Sequence, residues 1–184
     1  MKMSAAAVMV GTSLDRAKAG YKEGFEAIVR QHGGLVYSIG FHFFGTSALA
    51  EEISQDIFLE LYRNLHKIES EAHLTSWLRR STANRCIDTS RRSSYRSEVP
   101  LSDSFHPATA GATSDPLLHE TLRKQVAALP EWQRAVVILK YQEDLDTDEI
   151  SQMLNIPVNT VKSRLHRAME TLRGRMERKK VVKI

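Results

Sequence analysis

Residues 146–173, DTDEISQMLNIPVNTVKSRLHRAMETLR, constrain the fold of this chain more than any other stretch. They read as a short helix, a tight turn and a longer basic helix, the layout of a helix-turn-helix. Asp146 and Glu149 have the D-x-x-E spacing of a capping box, in which each side chain satisfies an orphan amide. Ile150, Met153 and Leu154 give the first helix one apolar stripe. Asn155 follows where a left-handed residue is required, and Pro157 suits the first turn of the next helix, where no N–H is needed. In that second helix Val161, Leu165, Ala168, Met169 and Leu172 recur at helical spacing and are assigned to the core. The other face carries Asn159, Thr160, Lys162, Ser163, Arg164 and Arg167, side chains that hydrogen-bond phosphates and base edges. An ordinary amphipathic hairpin with a solvated basic face would share the stripe and the charge. It would not need the capping box, the Asn turn and the Pro start together, and the combination favours DNA binding.

The net charge of +4 hides an uneven distribution. Residues 79–96 hold six Arg and one Asp, and residues 159–183 hold nine Lys or Arg and two Glu. Together these segments sum to +12, leaving −8 for the remainder. A solvated surface mixes its signs, so two concentrated basic stretches point to two contacts with a polyanion, nucleic acid ahead of an anionic membrane. Cys86 is the single cysteine, which excludes a disulfide framework and a cysteine-based zinc site, and it reads as a buried small hydrophobe. The seven His lack metal-ligand spacing, so no metal and no cofactor are expected. No G-x4-G-K-[ST] sequence and no nucleophile–base constellation supports an enzyme. No apolar run is long enough for a membrane span, and MKMSAAAVMVG is too weak for a signal peptide. These features place the chain in a reducing cytoplasm.

The fold class is all-α, as two small helical domains joined by a flexible linker. Residues 97–116, SEVPLSDSFHPATAGATSDP, have three Pro, one Gly and no Lys or Arg, and form that linker. Residues 1–19 read as a disordered arm, 20–96 as the first domain, 117–178 as the second and 179–184 as a basic tail. The first domain divides into four helices. Tyr21, Phe25, Ile28 and Val29 mark one, and Gly33-Gly34 interrupts before Leu35, Val36, Ile39, Phe43 and Phe44 mark the next, ending at Gly45. Ala48 to Leu65 is the third, and Leu74 to Tyr95 the fourth, with Trp77, Leu78 and Ile87 as core anchors. The second domain has helices over Leu117–Leu129 and Glu131–Gln142 ahead of the helix-turn-helix.

Two stretches carry a family resemblance. AEEISQDIFLELYRNL (50–65) and TSWLRRSTANRCIDTSRR (75–92) resemble region 2 of bacterial sigma-70 family factors, and the small extracytoplasmic-function (ECF) group is the nearest in pattern. The specific part is W-L-x5-N-x3-D-x2-R, here Trp77, Leu78, Asn84, Asp88 and Arg91. LPEWQRAVVILKYQEDLDTDEISQMLNIPVNTVKSRLHRAMETL (129–172) resembles region 4 of the same group. The resemblance covers most of residues 25–175, with both parts in the expected order. Tyr62 stands where Trp is frequent, Ser54 where an aliphatic residue is frequent and Ser151 where Ala is usual.

The resemblance implies a sigma factor that binds core RNA polymerase and directs initiation at promoters by recognising −10 and −35 elements and assisting strand opening. Glu51, Glu52, Gln55, Asp56 and Leu59 would dock on the clamp coiled coil of the largest polymerase subunit. Ile68 and Asn84 would line a pocket for an unstacked −10 base, with Lys67 to His73 forming the rest of the loop, and Arg80, Arg85, Arg91 and Arg92 would meet the backbone. That loop, KIESEAH, lacks the Gly frequent there, so no base preference is carried over. Asp88 would brace a nearby Arg, since a carboxylate repels phosphate, and Trp77 would serve the core. Asn159, Thr160, Lys162, Ser163, Arg164 and Arg167 would hold the −35 element. An anti-sigma factor is the further partner that the resemblance implies. The alternative is a free-standing helix-turn-helix regulator on operator DNA, which would leave residues 50–92 unexplained.

Overall fold

A computed structural model describes residues 11–94 and 116–181, and every regular element in them is helical. Helix α1 (Ser13–Lys18) is started by Thr12, whose hydroxyl accepts the Asp15 amide at 3.2 Å while the Asp15 carboxylate accepts the Thr12 amide at 3.0 Å. This reciprocal box holds a helix of less than two turns, and Leu14 and Ala17 bury its inner side. The arm expected over residues 1–19 is therefore helical from Ser13, because a cap and two apolar side chains four positions or fewer apart suffice to dock it. Residues 1–10 lie outside the described part.

Helix α2 (Lys22–Phe44) runs straight through Gly33-Gly34, where the sequence predicts an interruption. Each glycine costs a helix roughly 1 kcal/mol, but the stripe Ile28, His32, Val36, Ile39 and Phe43 continues across the pair and is buried throughout. Tertiary burial overrides the local penalty. The helix ends where expected, at Gly45 with φ 76°, whose amide reaches back to the Phe41 carbonyl at 2.8 Å.

Helix α3 (Ser47–Asn64) packs antiparallel on α2 at a close crossing. A Cβ built on Gly40 would lie 3.2 Å from the Ala50 Cα, so glycine and alanine set that approach. A 3₁₀ turn (Leu65–Lys67) leads to α4 (Glu71–Ser94), and Ile53, Ile57, Leu61, Ile68, Leu74, Leu78 and Ile87 close the first core. The second half holds α5 (Pro116–Ala127), α6 (Glu131–Tyr141), α7 (Thr147–Leu154) and α8 (Val158–Val181). The expected linker, 97–116, falls outside the described residues except for Pro116, and of the basic tail the structure describes only the backbone to Val181.

The two halves pack directly on one another. Ala135 and Ile138 of α6 join the core of the first half, and Ala83 of α4 joins the core built by Val136, Leu139, Leu145 and Ile150. Arg134 reinforces the seam. Its guanidinium donates to the Leu129 carbonyl at 2.7 and 3.2 Å and to the Phe43 carbonyl at 2.9 Å, and sits 4.6 Å from the Phe43 ring centre.

Candidate nucleic-acid and polymerase interfaces

The helix-turn-helix is built as its sequence dictates. The Asp146 carboxylate accepts the Asp148 and Glu149 amides at 2.8 Å each, and Glu149 accepts the Asp146 amide at 2.7 Å. Ile150, Met153 and Leu154 are buried, and Asn155 turns the chain at φ 52°, ψ 50°. Ser151 donates to the Ile156 carbonyl at 2.6 Å, so the hydroxyl found where alanine is usual braces the turn. Pro157 directly precedes α8, and its carbonyl accepts the Thr160 and Val161 amides at 2.8 and 3.1 Å.

Along α8 the helical period separates most of the expected faces. Val161, Ala168 and Leu172 are buried and Leu165 is half-buried. Met169 departs from its expected core position: it is 39% exposed, because the inner stripe narrows to every third or fourth residue and 169 falls beside it. Asn159, Lys162, Ser163 and Arg167 are exposed and Thr160 is half-buried. Arg164 behaves differently. Its guanidinium lies 4.4 Å from the Trp132 ring centre, with one nitrogen buried and unpartnered. Burial and the nearby Arg91 charge lower its pKa, and Glu131 opposes them. Arg164 and Arg167 are thus three residues apart yet in different environments.

In the first half, Glu51, Glu52, Gln55 and Leu59 form an exposed face on α3, continued by Tyr62. Leu59 is 49% and Tyr62 64% exposed, an apolar pair within an acidic surface. Tyr62 packs edge-on against Phe25 at 5.2 Å, so its ring is held from one side and open on the other. Ser54 returns its hydroxyl to the Ala50 carbonyl at 2.7 Å, which accommodates a polar residue on this helix. Asp56 is half-exposed and joined to α4: Arg85 donates to Asp56 and to Glu60 at 3.1 Å each. Two residues assigned by resemblance to different partners, Asp56 and Arg85, are therefore bound to each other.

On α4, Arg80, Arg91 and Arg92 are exposed and Asn84 is half-buried. Ile68 is fully buried and functions as a core residue here, so a base could reach it only after local displacement. Trp77 packs on the core. Asp88 is exposed and makes no ion pair among the described residues. The loop before α4 is ordered by its own polar groups: His73 Nδ1 accepts the Glu69 amide at 3.2 Å, and Ser70 accepts the His73 amide at 3.1 Å. Between the halves, Arg79 of α4 meets Glu143 at 2.9 Å, and Arg91 meets Glu131 at 3.4 Å. Among the described residues no cluster of metal-ligating side chains exists and no helix is long and apolar enough to cross a membrane.

Residues 28–96 match the family model for Sigma-70 region 2, and residues 119–172 match that for Sigma-70, region 4. The chain belongs to the sigma-70 family. Its relatives place it with the ECF group. It is 29% identical over 184 residues to the ECF RNA polymerase sigma factor SigW of Bacillus subtilis, covering 92% of this chain and 97% of that protein. It is 25% identical over 177 residues to the ECF RNA polymerase sigma-E factor of Escherichia coli, covering 89% and 92%. In fold it matches the sigma factor RpoE solved with the anti-sigma factor NepR from Bartonella quintana, with TM-score 0.68, 20% identity and coverage of 83% and 96%. It also matches CnrH solved with the cytosolic domain of CnrY, with TM-score 0.64, 18% identity and coverage of 90% and 95%.

Region 2 and region 4 thus correspond to the two halves. What the sequence did not reveal is the set of residues between them: Arg79, Trp132, Arg134 and Glu143. Each lies on a helix whose period marks an inner face, but periodicity does not say which helix that face meets. The one available signal was an Arg-rich α4 beside an acid–aromatic pair, Glu131-Trp132, at the start of α6.

Proposed function

We propose that this chain is a promoter-specificity subunit of bacterial RNA polymerase, acting in the cytoplasm and without catalytic chemistry of its own. The observation that carries this reading is the presence of region 2 and region 4 in one chain, in that order. A free-standing operator-binding regulator would need only the second. The exposed face of α3, with Glu51, Glu52, Gln55, Leu59 and the half-exposed Asp56, docks on the clamp coiled coil of the largest subunit. Asn84 and four of the arginines of α4, Arg80, Arg85, Arg91 and Arg92, engage the −10 element, and Ile68 is reached there after local displacement. Bases captured outside the stack there supply the melting energy, so no nucleotide hydrolysis is needed. Asn159, Thr160, Lys162, Ser163, Arg164 and Arg167 hold the −35 element. A guanine read by one of these arginines contributes about 1–3 kcal/mol of discrimination.

Both weak grips act on one DNA while polymerase holds the protein, so affinity comes from effective concentration. An anti-sigma factor is the regulatory partner, consistent with the complexes in which the RpoE and CnrH relatives were solved. The test is run-off transcription from a promoter library with core polymerase, with and without this chain. Transcripts that start at defined sites only when the chain is present support the reading. Tight operator binding without core polymerase, and no such transcripts, would favour the free-standing regulator.

A further inference from the structure

Ile68 is fully buried, so the loop that carries it is closed over the place where a −10 base would enter. Two unsatisfied polar groups lie at the junction of α2 with the helix that follows this loop. His32, on the core face of α2 between Ile28 and Val36, is only 8% exposed. Its Nε2 is buried and has no hydrogen-bond partner among the described residues. Glu71, the first residue of α4, is half-buried, and its Oε2 is likewise buried and unpartnered among them. Helices α2 and α4 pack on one another, and Glu71 is the charged group that acts on His32. Charged groups on the other helices packed against α2 are engaged elsewhere. Arg16 of α1 lies against Gly24, while Arg123 of α5 and Arg134 of α6 cover Phe41 and Phe43, each about two helical turns or more from His32. Asp56 and Glu60 of α3 are held by Arg85. On α4 the next titratable group is His73, whose Nδ1 accepts the Glu69 amide.

We propose that His32 and Glu71 form a proton-operated catch beneath the −10 loop: protonation of His32 releases the start of α4, and Ile68 then moves aside for an unstacked base. The proposal rests on the sigma-factor reading and adds regulation of its −10 site. A neutral imidazole tolerates this buried position, whereas an imidazolium must be hydrated or fully paired. Desolvation outweighs the help that Glu71 gives the cation, so the proton favours conformations in which water reaches the ring. The α2–α4 junction supplies one, because the loop above it is held by bonds of its own. The Ile68 amide donates to the Leu65 carbonyl at 3.2 Å, and the Leu74 amide to the Ser70 carbonyl at 2.8 Å. Release grows as pH falls below the ordinary histidine value of 6.5 and levels off below the lowered value of the closed form.

Amide hydrogen exchange on the full chain, followed by NMR and corrected for its intrinsic pH dependence, reads the catch at Ile68 and Leu74. Opening there is expected to rise about threefold or more between about pH 7.5 and about pH 5.5. It should stay faster at both values than exchange at the centre of α2, which reports complete unfolding. His32→Phe abolishes the rise. Glu71→Gln removes the carboxylate that eases protonation, so its rise exceeds that of the unaltered protein. Circular dichroism establishes that the helices of each variant are intact, and Glu71→Gln decides the matter if His32→Phe does not fold. A rise that survives in His32→Phe belongs to His73 and overturns the proposal. So does a smaller rise in Glu71→Gln, or loop amides that exchange no faster than those of α2. With core polymerase and promoter DNA, permanganate reactivity of −10 thymines should gain at the lower pH over the His32→Phe protein. An equal response of both proteins to pH overturns the regulatory role. Exchange as expected, with no promoter opening by either protein at any pH, overturns the sigma reading and not the catch.

Discussion

Arg134 ties the two regions together through one side chain. Its fork satisfies two carbonyls, one in each region, and its cationic plane covers Phe43. Arg134→Lys keeps the charge but loses the planar fork, and is expected to cost about 1.5–3 kcal/mol in chemical denaturation. His32 makes a second prediction. Burial lowers its pKa below the ordinary 6.5, and Glu71 only partly opposes this. The unfolded chain therefore takes the proton first as pH falls below 6.5, so stability present above that value is lost on acidification. His32→Phe should flatten the dependence of stability on pH below 6.5, and an unchanged slope would remove His32 as its source. At the candidate interfaces, Asn84→Ala should impair promoter opening by roughly tenfold or more, the loss of about one base contact, while sparing core-polymerase affinity. Charge reversal at Asp56 should weaken core-polymerase binding, and unchanged core affinity would remove Asp56 from the docking face. The outward positions of Asn159, Lys162, Ser163 and Arg167 were legible from spacing alone. The stacking of Arg164 was not, because Trp132 lies 32 positions away in sequence. Nor was the Asp56–Arg85 bridge, which joins residues on different helices.

At the scale of elements, local chemistry decided what the sequence made readable. The Asp146–Glu149 box and the left-handed Asn155 are determined within a few residues, and both stand as read. Asp146→Ala is expected to cost about 1 kcal/mol and to weaken −35 binding in proportion, since the cap stabilises α7, which packs on α8. The same chemistry at Thr12 and Asp15 starts α1, but six residues make a weak periodic signal. The glycine pair in α2 misled for a different reason: its penalty is local, and the stripe that overrides it spans the whole helix. Gly24 gives a direct check on the docking of α1. A Cβ there would overlap the backbone nitrogen of Ala17. Alanine ordinarily stabilises a helix by about 1 kcal/mol over glycine, so a net loss of stability in Gly24→Ala would report the close packing. A net gain would mean that α1 does not sit against α2 in solution.

The whole molecule joins two recognisable regions through a seam that neither region announces. Apolar stripes on α4 and α6 told that each helix has an inner side, and left open that Ala83 and Ile138 cross into the opposite half. The expected linker encouraged a picture of two separate domains, and the packing of α4 on α6 revises it for the conformation described here. What defines the job is still the pairing of region 2 with region 4, and the central claim is that this pair opens promoters only together with polymerase. Permanganate reactivity of thymines on a promoter fragment, selected by run-off transcription, tests that claim most directly. Reactive thymines confined to the −10 element, present only with both core polymerase and this chain and lost with Asn84→Ala, are the expected result. Protection of fully paired duplex by the chain alone, with no reactive thymine when polymerase is added, would contradict it.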